Sequence, residues 1–432
     1  MYASRREALC AMMPPRSVML LPSAPTYIRN NDVEHEYRAD SDLYYLSGFA
    51  EPGALMALYS EHDSHRFVLF VRPRDPAREI WDGPRAGVEG ALADYGADHA
   101  ADVATLGETL YELLMDRQRI YYAIGRDRAM DEVVLRALHE ARRRARRGRT
   151  APTEMVEPST LVHELRWKKS DDEIAHMERG AAITAEGFVR AMEVAKPGAF
   201  EFEVEAALRG TFRRRGAERC AYEPIVASGP NACVLHHIRN DREMRDGDLL
   251  LIDAGAEVGG YACDVTRTFP VNGAFSEGQR ALYDAVLSAQ REAIASVRPG
   301  ASLVSVHQVA VRALTASMIA LGLLEGSLEE RLADESYKRY YMHGTSHWLG
   351  MDVHDVGMDW LDGEPRKFEP GCVLTVEPGI YVPVSDDRAP AALRGIGIRI
   401  EDDVLVTRDG ARVLTAAIEK DPDALERLLK AR

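Results

Sequence analysis

The sequence predicts an α+β protein of two domains, an α/β domain over residues 1–165 and a pseudo-symmetric α+β domain over 166–432. Three observations carry that expectation. At 432 residues the chain exceeds what one hydrophobic core ordinarily organises. Its first 165 residues mix short strand-like runs with helical patterns. From Arg166 onward one unit recurs at an offset of roughly 100 residues, a self-similarity that predicts two related halves with a site between them.

In the first domain, RFVLFVRP (Arg66 to Pro73) alternates as a strand does, and IYYAIG (Ile120 to Gly125) is strand-like. Asp131 to Arg147 carries a helical pattern. After the connecting stretch ELRWKKSDDEI, Ser170 and Glu173 form a capping box. The helix it opens is expected to run to about Ala195 and to stop at Pro197-Gly198. Ser276 and Gln279 open a second such helix, which stops at Pro299-Gly300. The continuations read alike: KPGAFEFEVEAALRGTF from Lys196 and RPGASLVSVHQVAVRAL from Arg298. Each unit then leads into strands that bear carboxylates.

Composition narrows the function classes. Hydrophobic residues make up 46% and charged residues 28%, the balance of a soluble globular chain. No run approaches the apolar length of a membrane helix, and the N-terminus lacks a signal-peptide core, so a cytoplasmic protein is expected. The five cysteines (Cys10, Cys220, Cys233, Cys263, Cys372) are scattered and never form a C-x-x-C pair. That argues for a reducing compartment and against a thiolate zinc site. A net charge of −15 disfavours nucleic acid, and the basic run Ala141 to Arg149 reads as a solvated helix end.

The chemistry begins at LLLIDAGAEVGGYACDVTRTFPV, Leu249 to Val271. Two apolar strands each carry an aspartate, Asp253 and Asp264, where the pattern says core. With a turn centred between Val258 and Gly259, the two would stand opposite one another, Cβ atoms about 5 Å apart. Bare carboxylates there would repel and resist burial. A cation between them removes the conflict.

Further ligand types follow. YMHGTSHWLGMDVHDVG supplies His343, His347 and His354 among glycines; CVLTVEPGIYV ends a strand on Glu377; GIGIRIEDDVLV puts Arg399 and Glu401 on one strand face. A mostly oxygen shell with one nitrogen suits Mn²⁺ foremost, with Co²⁺, Fe²⁺ or Zn²⁺ as alternatives. Four carboxylates exceed the need of one ion, so a carboxylate-bridged pair is expected.

The set Asp253, Asp264, His347, Glu377 and Glu401 resembles the five-ligand dinuclear site of the pita-bread metallopeptidases. The segments IVASGPNACVLHH, LLLIDAGAEVGGYACDVTRTFPVNG, YMHGTSHWLGMDVHDVG, VLTVEPGIYV and GIRIEDDVLVT resemble its aminopeptidase P branch. RREALCAMM and DVEHEYRADSDLYYLSGFAEPGAL resemble that branch's noncatalytic N-terminal domain. The resemblance implies a pseudo-twofold pita-bread catalytic domain and hydrolysis of peptides with proline in the second position by a metal-bridging hydroxide.

It also implies roles. Asp253 chelates one ion, Asp264 and Glu401 bridge both, and His347 and Glu377 complete the second. Glu377 shuttles the proton, His354 and His236 stabilise the oxyanion, and His343 lines the subsite for the proline ring. Arg399, two positions before Glu401 on the same strand face, is expected to make a structural ion pair, with orienting a carboxylate ligand or contacting substrate as the alternatives. Trp348, Tyr381 and Trp81 are aromatic candidates for a pocket shaped to the proline ring, though each is expected in the core before the substrate wall. Trp81 resembles a residue that reaches an active site across a subunit boundary, which implies a homo-oligomer, a dimer or a tetramer. One departure is His237, where the branch usually has tyrosine. The alternatives are a prolidase, which shares the ligands but cleaves Xaa-Pro dipeptides, and a metal-free pita-bread binding module.

Overall fold

The computed structural model describes residues 1–62 and 64–431, in two units, Met1–Arg166 and Trp167–Arg432. In the N-terminal unit six strands form a mixed sheet in the order His99–Asp102, Phe67–Val71, Leu55–Tyr59, Ser17–Pro22, Arg119–Tyr121, Glu154–Val156. The run around Phe67–Val71 is a strand, but all five of its residues are buried. Helices explain this. Leu106–Leu114 and Arg128–Arg144 pack on one face through Leu110, Leu114, Val134 and Leu138. Helices Tyr2–Met12 and Ser41–Ser47 lie against strands Leu55–Tyr59 and Ser17–Pro22. Asp127 caps helix Arg128–Arg144 by accepting from the N–H groups of Ala129 and Met130. Arg142, Arg143 and Arg144 occupy its last turn, where positive charge complements the helix dipole.

The C-terminal unit is built twice over. Helix Asp171–Val194 starts at the Ser170–Glu173 capping box, and helix Glu277–Ser296 at the Ser276–Gln279 box. Gly198 and Gly300 follow at φ +89° and +84°, a conformation that glycine adopts without steric cost. The chain then enters helices Glu201–Arg214 and Leu303–Ala320, each packed on its predecessor. In the first half, strand Leu249–Asp253 pairs antiparallel with Ile225–Ser228 and Thr266–Pro270. In the second, Asp402–Val406 pairs antiparallel with Val373–Val376, and Gly379–Val382 with Ile396–Arg399. One hydrophobic core joins the halves, from Phe188 and Phe212 through Leu250 and Phe269 to Ile380 and Ile398. Helix Leu303–Ala320 has a mean hydropathy of 1.4, enough by composition and length to cross a membrane. Here its face Val306, Ala310, Leu314 and Met318 is buried.

The carboxylate hairpin corrects the expected register. Val258 pairs with Tyr261, so the two turn residues are Gly259 and Gly260, one position later than the sequence pattern suggested. Their φ values are +61° and +78°. A tight hairpin turn of this class needs positive φ at both central positions, which the Gly-Gly pair supplies and Val258 does not. Asp253 therefore faces Thr266, and not Asp264.

Candidate metal centre

The two aspartates still meet, because the backbone bends between them. A Cβ on Gly255 would lie 1.6 Å from the carbonyl oxygen of Cys263, so only glycine permits this approach. The Tyr222 hydroxyl lies 2.5 Å from Asp253 Oδ1 and 2.5 Å from Asp264 Oδ1. Asp253 Oδ2 accepts from Arg399 Nη2 at 2.5 Å.

His347 arrives by strand addition. Leu349 N–H donates to Val373 O, Thr375 N–H to His347 O and Glu377 N–H to Thr345 O, so residues 345–349 lie alongside Val373–Val376. This pairing sets His347 beside Glu377, just past the end of that strand. His347 Nδ1 donates to the Trp348 carbonyl at 2.9 Å. With Nδ1 so committed, Nε2 faces the carboxylates, 3.4 Å from Asp264 Oδ2 and 3.7 Å from Glu377 Oε1. Glu401 leads into strand Asp402–Val406, its Oε2 accepting from the Thr266 hydroxyl at 2.6 Å. Ligand atoms of Asp264, His347 and Glu401 lie within 4.8 Å of one another.

All five residues line one cavity of about 550 Å³, with Tyr222, His236, His343, His354 and Arg399. Its electrostatics fit cations. Burial, reinforced by Asp264, Glu377 and Asp253, pushes Glu401 well above the usual carboxylate range. Burial raises Glu377 to about 7, with His347 and Arg399 pulling the other way. Burial raises Asp253 too, against the attraction of Arg399. For Asp264 burial is outweighed by His347, which holds it below its ordinary value. Correspondingly, His347 is raised to about 9 against the effect of burial, by Asp264 first. Four carboxylates share one imidazole and one guanidinium, a deficit of positive charge that divalent ions remove.

The remaining candidates occupy distinct places. His354 and His236 are exposed on the cavity wall, and the His354 ring lies 4.4 Å from that of His347, centroid to centroid. His343 Nδ1 donates to Gly344 O, so Nε2 accepts from the Tyr381 hydroxyl at 2.8 Å. Burial and then Arg399 push His343 down to about 4, which keeps it neutral. Tyr381 is 1% exposed and also meets Arg399 Nη1 at 3.1 Å, so it stands behind His343 and Arg399. Trp348 is core, packed edge-on against Trp167 and Phe368. Trp81 belongs to the N-terminal unit and is 84% exposed.

Comparison with known proteins decides the family. A profile of metallopeptidase family M24 matches residues 175–408, and one of the aminopeptidase P N-terminal domain matches 2–121. The chain belongs to metallopeptidase family M24. As an M24 member it is similar to the Xaa-Pro aminopeptidase of Escherichia coli K12, 44% identical over 100% of this chain and 97% of that protein. Human Xaa-Pro aminopeptidase 3 is 34% identical over 99% of this chain and 85% of its own length. Among solved structures, an aminopeptidase from Pseudomonas aeruginosa superposes with TM-score 0.98 at 48% identity, covering 100% of this chain and 97% of that one. Proline aminopeptidase P II from Yersinia pestis gives 0.96 at 44%, covering 100% and 99%. The α+β architecture, an aminopeptidase P N-terminal domain followed by an M24 catalytic domain, is that of these relatives.

Two residues of this candidate centre escaped sequence reasoning. Tyr222 joins both aspartates, and Thr266 holds Glu401. Thr266 had a signal in the strand register, because the residue opposite Asp253 must share its side of the sheet.

Proposed function

We propose that this metallopeptidase is an aminopeptidase releasing the N-terminal residue from peptides with proline in second position. The observation that carries the reading is the convergence of Asp253, Asp264, His347, Glu377 and Glu401 on one cavity. The full-length similarity to Xaa-Pro aminopeptidases supports the substrate class.

In this reading Asp253, Asp264, His347, Glu377 and Glu401 would together hold two divalent cations. Mn²⁺ suits the donor set foremost, with Co²⁺, Fe²⁺ or Zn²⁺ as alternatives. When bound, the two cations supply an acidified water as nucleophile near neutral pH and polarise the scissile carbonyl. Glu377 accepts a proton on its carboxylate and returns it to the proline nitrogen, which leaves as an amine. His354 and His236 face the oxygen on which charge develops. His343 is kept neutral and oriented by Tyr381 and Arg399, and is assigned to the proline subsite. The scissile bond before proline has no N–H to offer, so recognition there relies on shape.

A homo-oligomer, dimer or tetramer, belongs to the proposal. Helix Pro76–Asp82 buries none of its residues and leaves Ile80 82% and Trp81 84% exposed, a face suited to a second copy. The cytoplasm is the proposed compartment, with no nucleic-acid or membrane partner; the net charge of −15 supports the former exclusion. Hydrolysis of an Xaa-Pro-Yaa tripeptide by metal-reconstituted protein, with products identified by mass, tests the reading.

A further inference from the structure

One wall of the cavity is carried by a loop, residues 228–242, that supplies Leu235, His236 and Ile238 to the lining. Its only helical element among the described residues is the 3-10 turn Gly229–Cys233. A single carboxylate gathers this loop. Glu201, the first residue of helix Glu201–Arg214, has a side chain 0% exposed. Its Oε1 accepts from the Ser228 N–H at 2.7 Å, the Ser228 hydroxyl at 2.7 Å and the Asn231 amide at 3.0 Å. Its Oε2 accepts from His237 Nε2 at 3.0 Å and from the Arg242 N–H at 3.1 Å. A carboxylate only accepts, so His237 Nε2 carries the proton. Both ends and the middle of the loop are thus tied to one buried point.

His237 is the tie that matters for the wall. From Val234 to Ile238, the described polar ties to the rest of the unit are the Val234 N–H on Asn231 O and the His237 ring on Glu201. The His236 side chain has no described hydrogen bond of its own. His236 lies in the turn Leu235-His236, immediately before the anchored His237, so the backbone that His237 holds also sets where His236 points. His237 turns inward to Glu201 while His236 lines the cavity.

We infer that Glu201 and His237 form a positioning pair that fixes the backbone at His236 and sets His236, Leu235 and Ile238 against the bound peptide. The inference rests on the reading of the cavity as the peptide site. Glu201 and His237 touch no substrate; they act through the loop.

The test compares His237→Phe, which has no donor, with His237→Gln, whose amide nitrogen stands as many bonds from the backbone as Nε2 does. Both are made in the full-length, Mn²⁺-loaded protein. His237→Phe is expected to lower kcat/KM on an Xaa-Pro-Yaa tripeptide roughly tenfold or more, as small misplacements do. His237→Gln recovers most of that loss, and metal content and Tm stay at wild-type values in both. Hydrogen–deuterium exchange across residues 234–239 rises in His237→Phe and returns toward wild type in His237→Gln. Unchanged exchange in His237→Phe overturns the inference, as does an equal loss of kcat/KM in both variants accompanied by a fall in Tm. Exchange decides the pair whatever the substrate. Inactivity of every form on the peptide would instead refute the proposed function.

Discussion

Thr266 and Glu401, from opposite halves of the catalytic unit, bond to each other twice. The Thr266 hydroxyl donates to Glu401 Oε2 at 2.6 Å, and the Glu401 N–H donates to the Thr266 carbonyl at 3.1 Å. The same hydroxyl accepts from Arg399 Nε at 3.0 Å, and Arg399 in turn holds Asp253. One threonine therefore orients carboxylates of both halves. Thr266→Val keeps the shape and removes the hydroxyl. Its expected effect is a loss of about 10- to 100-fold in Mn²⁺ affinity, the usual result of removing an outer-shell partner. Titration calorimetry of metal-stripped protein measures it, and Thr266→Ser should restore affinity.

Asp264 is 6% exposed and sits between Tyr222 and His347. Asp264→Asn is expected to abolish metal binding at one or both positions and to remove activity while the protein stays folded. Bound metal per chain, with circular dichroism as the folding control, checks this.

His354 lines the cavity but its ring is exposed, so removing it leaves the five proposed ligands in place. His354→Ala should lower kcat by about 10²–10³, the range for losing one oxyanion donor, with metal content unchanged. Equal losses of kcat and metal would make it a ligand instead.

Acid stability is expected to depend on Asp42, in the N-terminal unit. Burial opposes its ionisation, but His163 and Arg166, the latter at 2.7 Å, hold its pKa at about 2 against an ordinary 3.8. A carboxylate with a depressed folded pKa contributes stability that is fully present above about pH 4 and is lost as pH falls through 2. The difference in unfolding free energy between wild type and Asp42→Asn should shrink by about 2 kcal/mol between pH 5 and pH 2. A difference that stays constant over that range would contradict the pairing.

Much of this was legible in the sequence, for local reasons. The capping boxes at Ser170 and Ser276 are three-residue signals, and both helices begin there. Asp253 and Asp264 stood out because they break an apolar pattern. What escaped depends on partners distant in sequence. Phe67–Val71 is apolar at all five positions, and the expected alternation fails there because helices cover the sheet. Tyr222 is an ordinary tyrosine until the fold sets it between two carboxylates. The hairpin register missed by one turn position because Val258-Gly259 and Gly259-Gly260 differ only in which pair tolerates positive φ.

Cleavage specificity identifies the substrate. Metal-stripped protein with Mn²⁺ restored would be given an Xaa-Pro-Yaa tripeptide and an Xaa-Pro dipeptide side by side, with products identified by mass. The expected products are free Xaa and intact Pro-Yaa, with little cleavage of the dipeptide and none without metal. Cleavage mainly of the dipeptide would make the protein a prolidase, and no cleavage of either with any of the four metals would contradict the account.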